Sequence, residues 1–589
     1  MGKHWTGPRI PDGATGIQVN HCKNPLCLNF GRPASEEKQP RGAGSSERGR
    51  DSYTVTSGST PRTQSIVCNL CGETLPMKSN LAIKEELDRI SGYLKPGPES
   101  TCPDQECCNH NIVVSIPKAY QSFGKTSTGS RRYRCKACNK TFSVNANPTS
   151  RQRLTEKNDE IFRLLVSKVP LKRMCELAGV NIRTLYRKID FIHRRCLAFA
   201  GAQENRLPGL SIQRLYLSTD RQVHLINWRN ADEKSNIFLN ALGTADNKSG
   251  YVFGINVNYD PDMDAEQVEQ DALNSDADLV PVPFRRYARV WLKRDYTNAL
   301  GNKTRQRSSG KRLRDNIQEV YNDSVSREDI EISEEQTPDT GLPYAGMQVH
   351  LEYTLYAHFL LLKRLLGRVE KIRFFLDQES GIRAACLAAF WEDVLSKRCD
   401  AFYVRVNKDL TINQKRCLKA DSNKALAEFR ASSVTYELLT DRDLRHIVIK
   451  ERLNELVKIG KWNDRWLFYP FPDMSEPEKA ICWLTDLRDR SYDDDHLAWL
   501  YSKGTLHGID RFFMQARRRL SLLERPIASA SSEGRKWYGY SPYNPAMVGK
   551  VLDIFRVFYN YAEAGDDKMT PVIRLGLCTK KYNCSDILS

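Results

Sequence analysis

The sequence predicts an α/β fold: a mixed sheet flanked by helices, preceded by two small cysteine-rich modules and a three-helix unit. Three observations predict it. Nine of the 17 cysteines fall before residue 140, eight of them in two matched quartets. Apolar residues then recur at helical spacing from about Thr155 to Ala198. From about Gln213 the pattern changes to short strand-like runs, in the order strand-strand-strand-helix-strand-helix-strand.

The chain has 589 residues, enough for about three to four domains. Hydrophobic residues at 40% and charged residues at 27% leave ample material for a core and exclude a collagen, a coiled-coil rod or a mainly disordered chain. The best apolar run, Tyr356 to Leu366, is interrupted by Lys363 and Arg364, so no spanning helix and no membrane partner are expected. The first residues lack the apolar core of a secretory signal, and a cytoplasmic, nucleoid-associated location is expected. Nearly all of the net charge of +17 lies in residues 1–200. A basic block beside a near-neutral remainder implies a polyanion-binding part and a separate working part.

The cysteine quartets form an internal repeat. The first copy is Cys22-x4-Cys27-x-Asn29, closed by Cys68-x2-Cys71-x2-Thr74; the second is Cys102-x4-Cys107-x-Asn109, closed by Cys135-x2-Cys138-x2-Thr141. Two short knuckles that present four sulfurs to one point are what tetrahedral Zn²⁺ requires, so two structural zinc sites are expected. Cys107 and Cys108 compete for one place, and the repeat favours Cys107. His21 and His110 are read as bystanders. Gly31–Arg62 reads as a basic loop inside the first module, and Ser91–Thr101 as the linker between modules.

In the helical stretch, Val169-Pro170 ends a first helix, Leu171–Leu177 forms a second, and Ala178-Gly179-Val180 makes a turn. Asn181 caps a third helix that turns Ile182, Leu185, Tyr186 and Ile189 inward and Arg183, Arg187 and Lys188 outward. A short helix, a glycine turn and a basic helix form a helix-turn-helix pattern, whose last helix enters a major groove. With Arg131, Arg132, Arg517 and Arg518, the outward cations are the candidate DNA contacts. The expected divisions are residues 15–88 and 98–150 for the zinc modules, 151–200 for the helix-turn-helix, 208–406 and 491–589 for two parts of a core, and 407–490 for an inserted subdomain.

Within the core, Gln213–Thr219, Asn236–Leu242 and Tyr251–Asn258 read as an antiparallel meander, Ile372–Leu376 and Ala401–Val406 as further strands, and Gln348–Leu366 and Gly381–Leu395 as helices. Arg305–Leu342 reads as an excursion loop, and Asp260, Asp262 and Asp264 as a solvated loop. Asp220 and Asp377 each stand at the end of an apolar strand. If the first and fourth strands lie side by side, the two carboxylates converge, and a third acid completes a site for two Mg²⁺ or Mn²⁺ ions. Asp510, in Leu506-His-Gly-Ile-Asp-Arg-Phe-Phe513, is preferred as that third acid; Glu524 is the alternative, with Asp486 and Glu563 behind it. Trp537, Tyr538, Tyr540 and Tyr543, near Arg535 and Lys536, read either as base-stacking residues or as core anchors.

Taken together, the helix-turn-helix, Asp220, Asp377, the Gly-Ile-Asp-Arg-Phe-Phe helix, the following Tyr-Asn-Pro and the Phe-Arg-Val-Phe-Tyr-Asn-Tyr tail resemble a bacterial insertion-sequence transposase. Tyr133–Ser143 is similar to the zinc-binding segment of the short insertion-element proteins that precede such enzymes. The resemblance runs from about Cys102 onward. It implies an RNase H-like core with a DDE acid triad, in which Asp220 and Asp377 take the first two places and Asp510 stands where the family usually carries Glu. It also implies a DNA transposase that binds double-stranded element ends and target DNA, acts as a homo-oligomer on them, and performs metal-dependent strand cleavage and strand transfer. A catalytically inactive DNA-binding regulator and a metal-dependent nuclease are the alternatives.

Overall fold

The computed structural model describes residues 7–37, 51–57, 64–95, 100–114, 116, 118–127, 130–144, 148–149, 152–227, 236–275, 280–300, 312–326, 345–379, 381–407, 410–460, 462–486, 492–524, 527–528, 536–537 and 544–589. These divide into two compact units: residues 1–90, 208–515 and 541–549 in the first, and 91–207, 516–540 and 550–589 in the second. Among the described residues, no helix is long and apolar enough to cross a membrane.

In chain order, β1 (Tyr53–Ser57), β2 (Gln64–Cys68) and β3 (Thr74–Pro76) form the small sheet of the first cysteine module, and α1 (Asn80–Ile90) follows. The strands β4 (Tyr120–Lys125), β5 (Arg131–Cys135) and β6 (Thr141–Val144) repeat that sheet in the second module. Three helices come next: α2 (Lys157–Leu165), α3 (Leu171–Ala178) and α4 (Ile182–Glu204). The central sheet begins with β7 (Arg214–Asn227), β8 (Asn236–Asp246) and β9 (Val252–Val257). A peripheral run holds β10 (Tyr259–Asp260), α5 (Ala265–Asn274), α6 (Lys293–Leu300), α7 (Leu313–Ser326) and β11 (Met347–Gln348). Then come α8 (Leu351–Leu365), β12 (Lys371–Asp377), α9 (Ile382–Ala389), α10 (Trp391–Leu395) and β13 (Cys399–Val406). The last parts are α11 (Ile412–Ala431), α12 (Val434–Glu437), α13 (Asp441–Arg452), β14 (Val457–Ile459), β15 (Asp464–Phe468), β16 (Lys479–Trp483), α14 (Asp494–Ser502), α15 (His507–Arg519) and α16 (Ala546–Val557).

The first unit is built on one mixed eight-stranded sheet, ordered β14-β15-β16-β13-β12-β7-β8-β9. β7, β8 and β9 form the antiparallel meander, and β12 and β13 run parallel to β7. The strands of segment 407–490 do not stand apart: β16 pairs antiparallel with β13 and carries β15 and β14 outward as an extension of the same sheet. The strand expected to stop at Asp220 runs on to Asn227. Its second half buries Gln222 and His224 on one side, so its period of two is carried by polar side chains that a hydrophobic reading misses. Within Arg305–Leu342, residues 313–326 form α7 rather than a loop; residues 305–311 and 327–342 lie outside the described residues. Asp260 is not solvated either. Its carboxylate accepts from Arg289 Nη2 at 2.7 Å and is 5% exposed, while Asp264 caps α5. A buried charge needs such a partner.

One face of the meander is covered by α8, which is buried over most of its length. His358 projects from α8 into a closed polar chain. Thr219 Oγ1 bonds Thr244 Oγ1 at 2.8 Å, Thr244 Oγ1 bonds His358 Nε2 at 2.8 Å, and His358 Nδ1 bonds Asn256 Oδ1 at 2.7 Å. Burial pushes the His358 imidazole down to about 3, so it stays neutral. In the unfolded chain an ordinary histidine binds its proton near pH 6.5. The unfolded state therefore holds the extra proton between these two values, and stability falls as pH drops from about 6.5 toward 3. His358→Gln is expected to flatten that part of the stability profile in chemical denaturation at a series of pH values.

In the second unit, Pro170 precedes α3, Gly179 ends it with φ +65°, and Asn181 caps α4 by accepting from Thr184 N at 2.8 Å. A left-handed turn residue here favours glycine, and Asn is a strong N-cap. Leu185 and Ile189 are buried as expected, but Ile182 and Tyr186 are 49% and 41% exposed. Lys188 is turned inward, its Nζ donating to the carbonyls of Arg153 and Leu154 at 2.7 Å each. The long helix α4 is tied down near its end by a buried ion pair, Glu204 Oε1 with Arg556 Nη1 at 2.6 Å.

Candidate zinc centres and acid site

Each cysteine quartet forms a cluster: the sulfurs of Cys22, Cys27, Cys68 and Cys71 lie within 4.8 Å of one another, as do those of Cys102, Cys107, Cys135 and Cys138. Cys108 stays outside and is exposed, so the repeat chose the right neighbour. Four thiols at this spacing suit one tetrahedral Zn²⁺. The thiol of Cys22 bonds Cys71 sulfur at 3.5 Å, and that bond holds the Cys71 thiol down at about 5, in the thiolate form a metal takes.

The residues around the sulfurs repeat as faithfully as the sulfurs. Asn29 and Asn109 each donate their side-chain amide across the site, to Cys68 and Cys135 sulfur, at 3.3 Å. Tyr53 Oη accepts from Cys22 N at 2.8 Å and donates to Asn29 O at 3.0 Å; Tyr120 Oη does the same with Cys102 N and Asn109 O at 2.9 and 2.7 Å. Groups that orient ligands in this way belong to a metal site as much as the ligands do. The asparagines stand in the repeat pattern, and so do the tyrosines: Tyr53 and Tyr120 each lie 15 residues before the third cysteine of their quartet, a signal that the sequence reading missed.

The modules differ in their settings. Glu73 and Lys140 occupy the same place in the repeat. Glu73 is buried, accepting from Cys22 Sγ at 3.2 Å, Lys23 N at 2.8 Å and Arg383 Nη1 at 3.2 Å. Arg383 comes from α9, so the first module is fastened to the helix that follows β12. Trp391 packs against the same module. Gly31 has φ +73°, and a Cβ there would sit 2.2 Å from the indole. Gly31→Ala is expected to cost at least about 2 kcal/mol, because overpacking and a strained backbone add; a melting curve of the full chain measures it. In the second module, Arg131 is exposed and Arg132 stacks over the exposed Phe123, 5.5 Å from the ring centre.

The acids lie in the first unit. Leu376 on β12 is level with Thr219 on β7. One step on, Asp377 and Asp220 stand at the same level of two neighbouring parallel strands, and residues level in this way share a face. That face is the one α15 covers. Ile509 N donates to Ser218 Oγ at 3.0 Å and Gly508 N to Asn247 Oδ1 at 3.0 Å. Gly243, the cross-strand partner of Asp220, touches Ile509 and Phe513, where a Cβ would lie 2.5 and 3.2 Å from their side chains. Asp510 follows Ile509 on this helix and stands one turn before Phe513. No carboxylate trio among the described residues closes to the 4.8 Å spacing of the thiols.

The other candidates for third acid are engaged elsewhere: Glu524 with Lys168 at 2.9 Å in the second unit, Glu563 with Arg519, and Asp486 with Arg465. Of the candidate cations, Arg183, Arg187 and Arg518 are exposed and Arg517 is half-buried, whereas Lys188 is not available at the surface. Arg535, Tyr538, Tyr540 and Tyr543 lie outside the described residues. No family model matches the chain, and no curated relative is found for it.

Proposed function

We propose that the chain is a DNA transposase with an RNase H-like core. The observation that carries this reading is the sheet order β9-β8-β7-β12-β13, three antiparallel strands followed by two parallel ones, with Asp220 and Asp377 level on the two central strands. Asp510 is the proposed third acid; it is carried by α15, whose Ile509 and Phe513 pack on the face of Asp220. A set of three carboxylates fits hard divalent cations, Mg²⁺ or Mn²⁺, which when bound would stabilise charge at the attacking and leaving oxygens of phosphoryl transfer. The chain's own part is to hold the three acids on rigid strands and one helix, and to seat DNA against them.

The proposed end-binding elements are in the second unit. The three helices α2–α4 serve as a helix-turn-helix, and the exposed face Ile182, Arg183, Tyr186 and Arg187 at the start of α4 reads the major groove. Arg131 and Arg132 of the second zinc module add phosphate contacts, as do Arg517 and Arg518. Pairing of two ends requires a homo-oligomer on DNA.

A cleavage-and-joining assay tests the reading, using linear DNA with the sequences that flank the coding segment and a supercoiled target. Mg²⁺-dependent nicking at the ends, followed by joined product, is expected. Nicking without joining leaves a nuclease, and specific binding with neither reaction leaves a regulator; both overturn the transposase reading.

A further inference from the structure

Resting on that reading, we infer that α11 is a DNA-backbone clamp set along the acid-bearing edge of the sheet. This helix buries almost nothing: of its 20 residues only Leu426 is buried. A helix of this length in a folded unit ordinarily buries a stripe against the core. Its N-terminal end is held by a capping box between Thr411 and Gln414, and its C-terminal end by Phe429 stacked on Tyr436 and by Arg430 donating to Leu439 O at 2.8 Å. Its outer surface is therefore free for a partner.

Position and charge name the partner. β12 and β13 run parallel, and Asp377 is level with Val404, so the end of β13 lies at the acid edge; α11 begins six residues past that end. Midway along the helix, Ser422 Oγ donates to Pro470 O at 2.9 Å. Pro470 follows β15, which also runs parallel to β13 and ends at the same edge. The helix thus spans from β13 toward β15, continuing the line on which the acids stand. Arg416, Lys419 and Asn423 are spaced i, i+3, i+7 and share one exposed face, with Lys424 beside them and the small Ala420 and Ala427 between. The acids Asp421 and Glu428, seven apart, fall on another face. Lys424 Nζ lies 3.9 Å from Glu428 Oε1 at the border of the two faces; Arg416 and Lys419 stand clear of both acids, and such a basic face with room for close approach fits the phosphates of a nucleic-acid strand better than it fits protein.

The test is the salt dependence of binding of the full-length protein to a short labelled DNA duplex, with zinc present. The variant Arg416→Gln/Lys419→Gln/Lys424→Gln changes only exposed side chains. It is expected to bind at least about tenfold more weakly at moderate salt, and its plot of log affinity against log salt is expected to be shallower by about 2–3, since each lost phosphate contact removes about 0.9. Wild-type binding with an unchanged slope in the variant overturns the clamp and leaves the transposase reading intact. No duplex binding by the wild type overturns both. If the variant instead keeps its slope and changes only its oligomeric state in light scattering, α11 is a contact between copies and the clamp is wrong.

Discussion

Asp220→Asn and Asp377→Asn are each expected to reduce Mg²⁺-dependent DNA nicking by roughly 10³-fold or more. A metal-held phosphoryl transfer draws several kcal/mol from charge stabilisation at the metals, and about 1.4 kcal/mol is tenfold in rate. The two residues are level on adjacent parallel strands, and under the proposed reading either loss removes one of the three metal-holding carboxylates. Both variants should keep wild-type DNA affinity, because the proposed end-binding surfaces lie in the other unit. Asp510→Glu is the informative companion. Glu keeps the carboxylate, so it should retain activity where Asp510→Asn loses it. Rates from plasmid nicking, read beside binding by anisotropy, separate these outcomes from unfolding.

The second large effect concerns zinc. Chelation is expected to unfold the second module, with loss of amide protection over residues 120–144. Among the described residues its fully buried cluster is Cys102, Ala119, Tyr120 and Cys135, with Ile112, Val114, Tyr133 and Phe142 partly buried, too little to stand without a metal whose binding is worth on the order of 10 kcal/mol. Cys135→Ser should do the same locally and abolish sequence-specific DNA binding while the first unit melts normally. Cys68→Ser should act differently. The first module shares Glu73–Arg383, Gly31–Trp391 and the buried Lys78–Glu352 pair with the core, so its loss should lower the melting temperature of the first unit itself. Hydrogen exchange resolved by segment distinguishes the two. Equal, purely local effects from both substitutions would contradict the division.

Much of this was legible in the residues, for definable reasons. The zinc quartets were readable because four sulfurs at knuckle spacing allow few other uses, and repetition resolved Cys107 from Cys108. The order of strands and helices in the core followed from periodicity, and Asn181 and Gly179 marked the turn into α4. What periodicity could not give was side-chain direction on an amphipathic helix with long polar residues. Lys188 was expected outside, yet its ammonium reaches two backbone carbonyls inside; Ile182 and Tyr186 were expected inside, yet they stand at the exposed start of α4. Buried polar chemistry was equally hidden. The Thr219–Thr244–His358–Asn256 chain and the Asp260–Arg289 pair depend on contacts between segments far apart in sequence, whereas Tyr53 and Tyr120 recur at one spacing in the repeat and were legible there.

The central claim is that Asp220, Asp377 and Asp510 hold metal together. Fe²⁺ substituted for Mg²⁺, with ascorbate and peroxide, cuts a polypeptide next to the bound ion, and the fragments can be mapped by mass spectrometry. Cuts are expected near residues 220, 377 and 510 in the same molecule population, competed away by Mg²⁺ and absent in Asp220→Asn. Cuts confined to one of these segments, or unaffected by that substitution, would contradict the shared acid site.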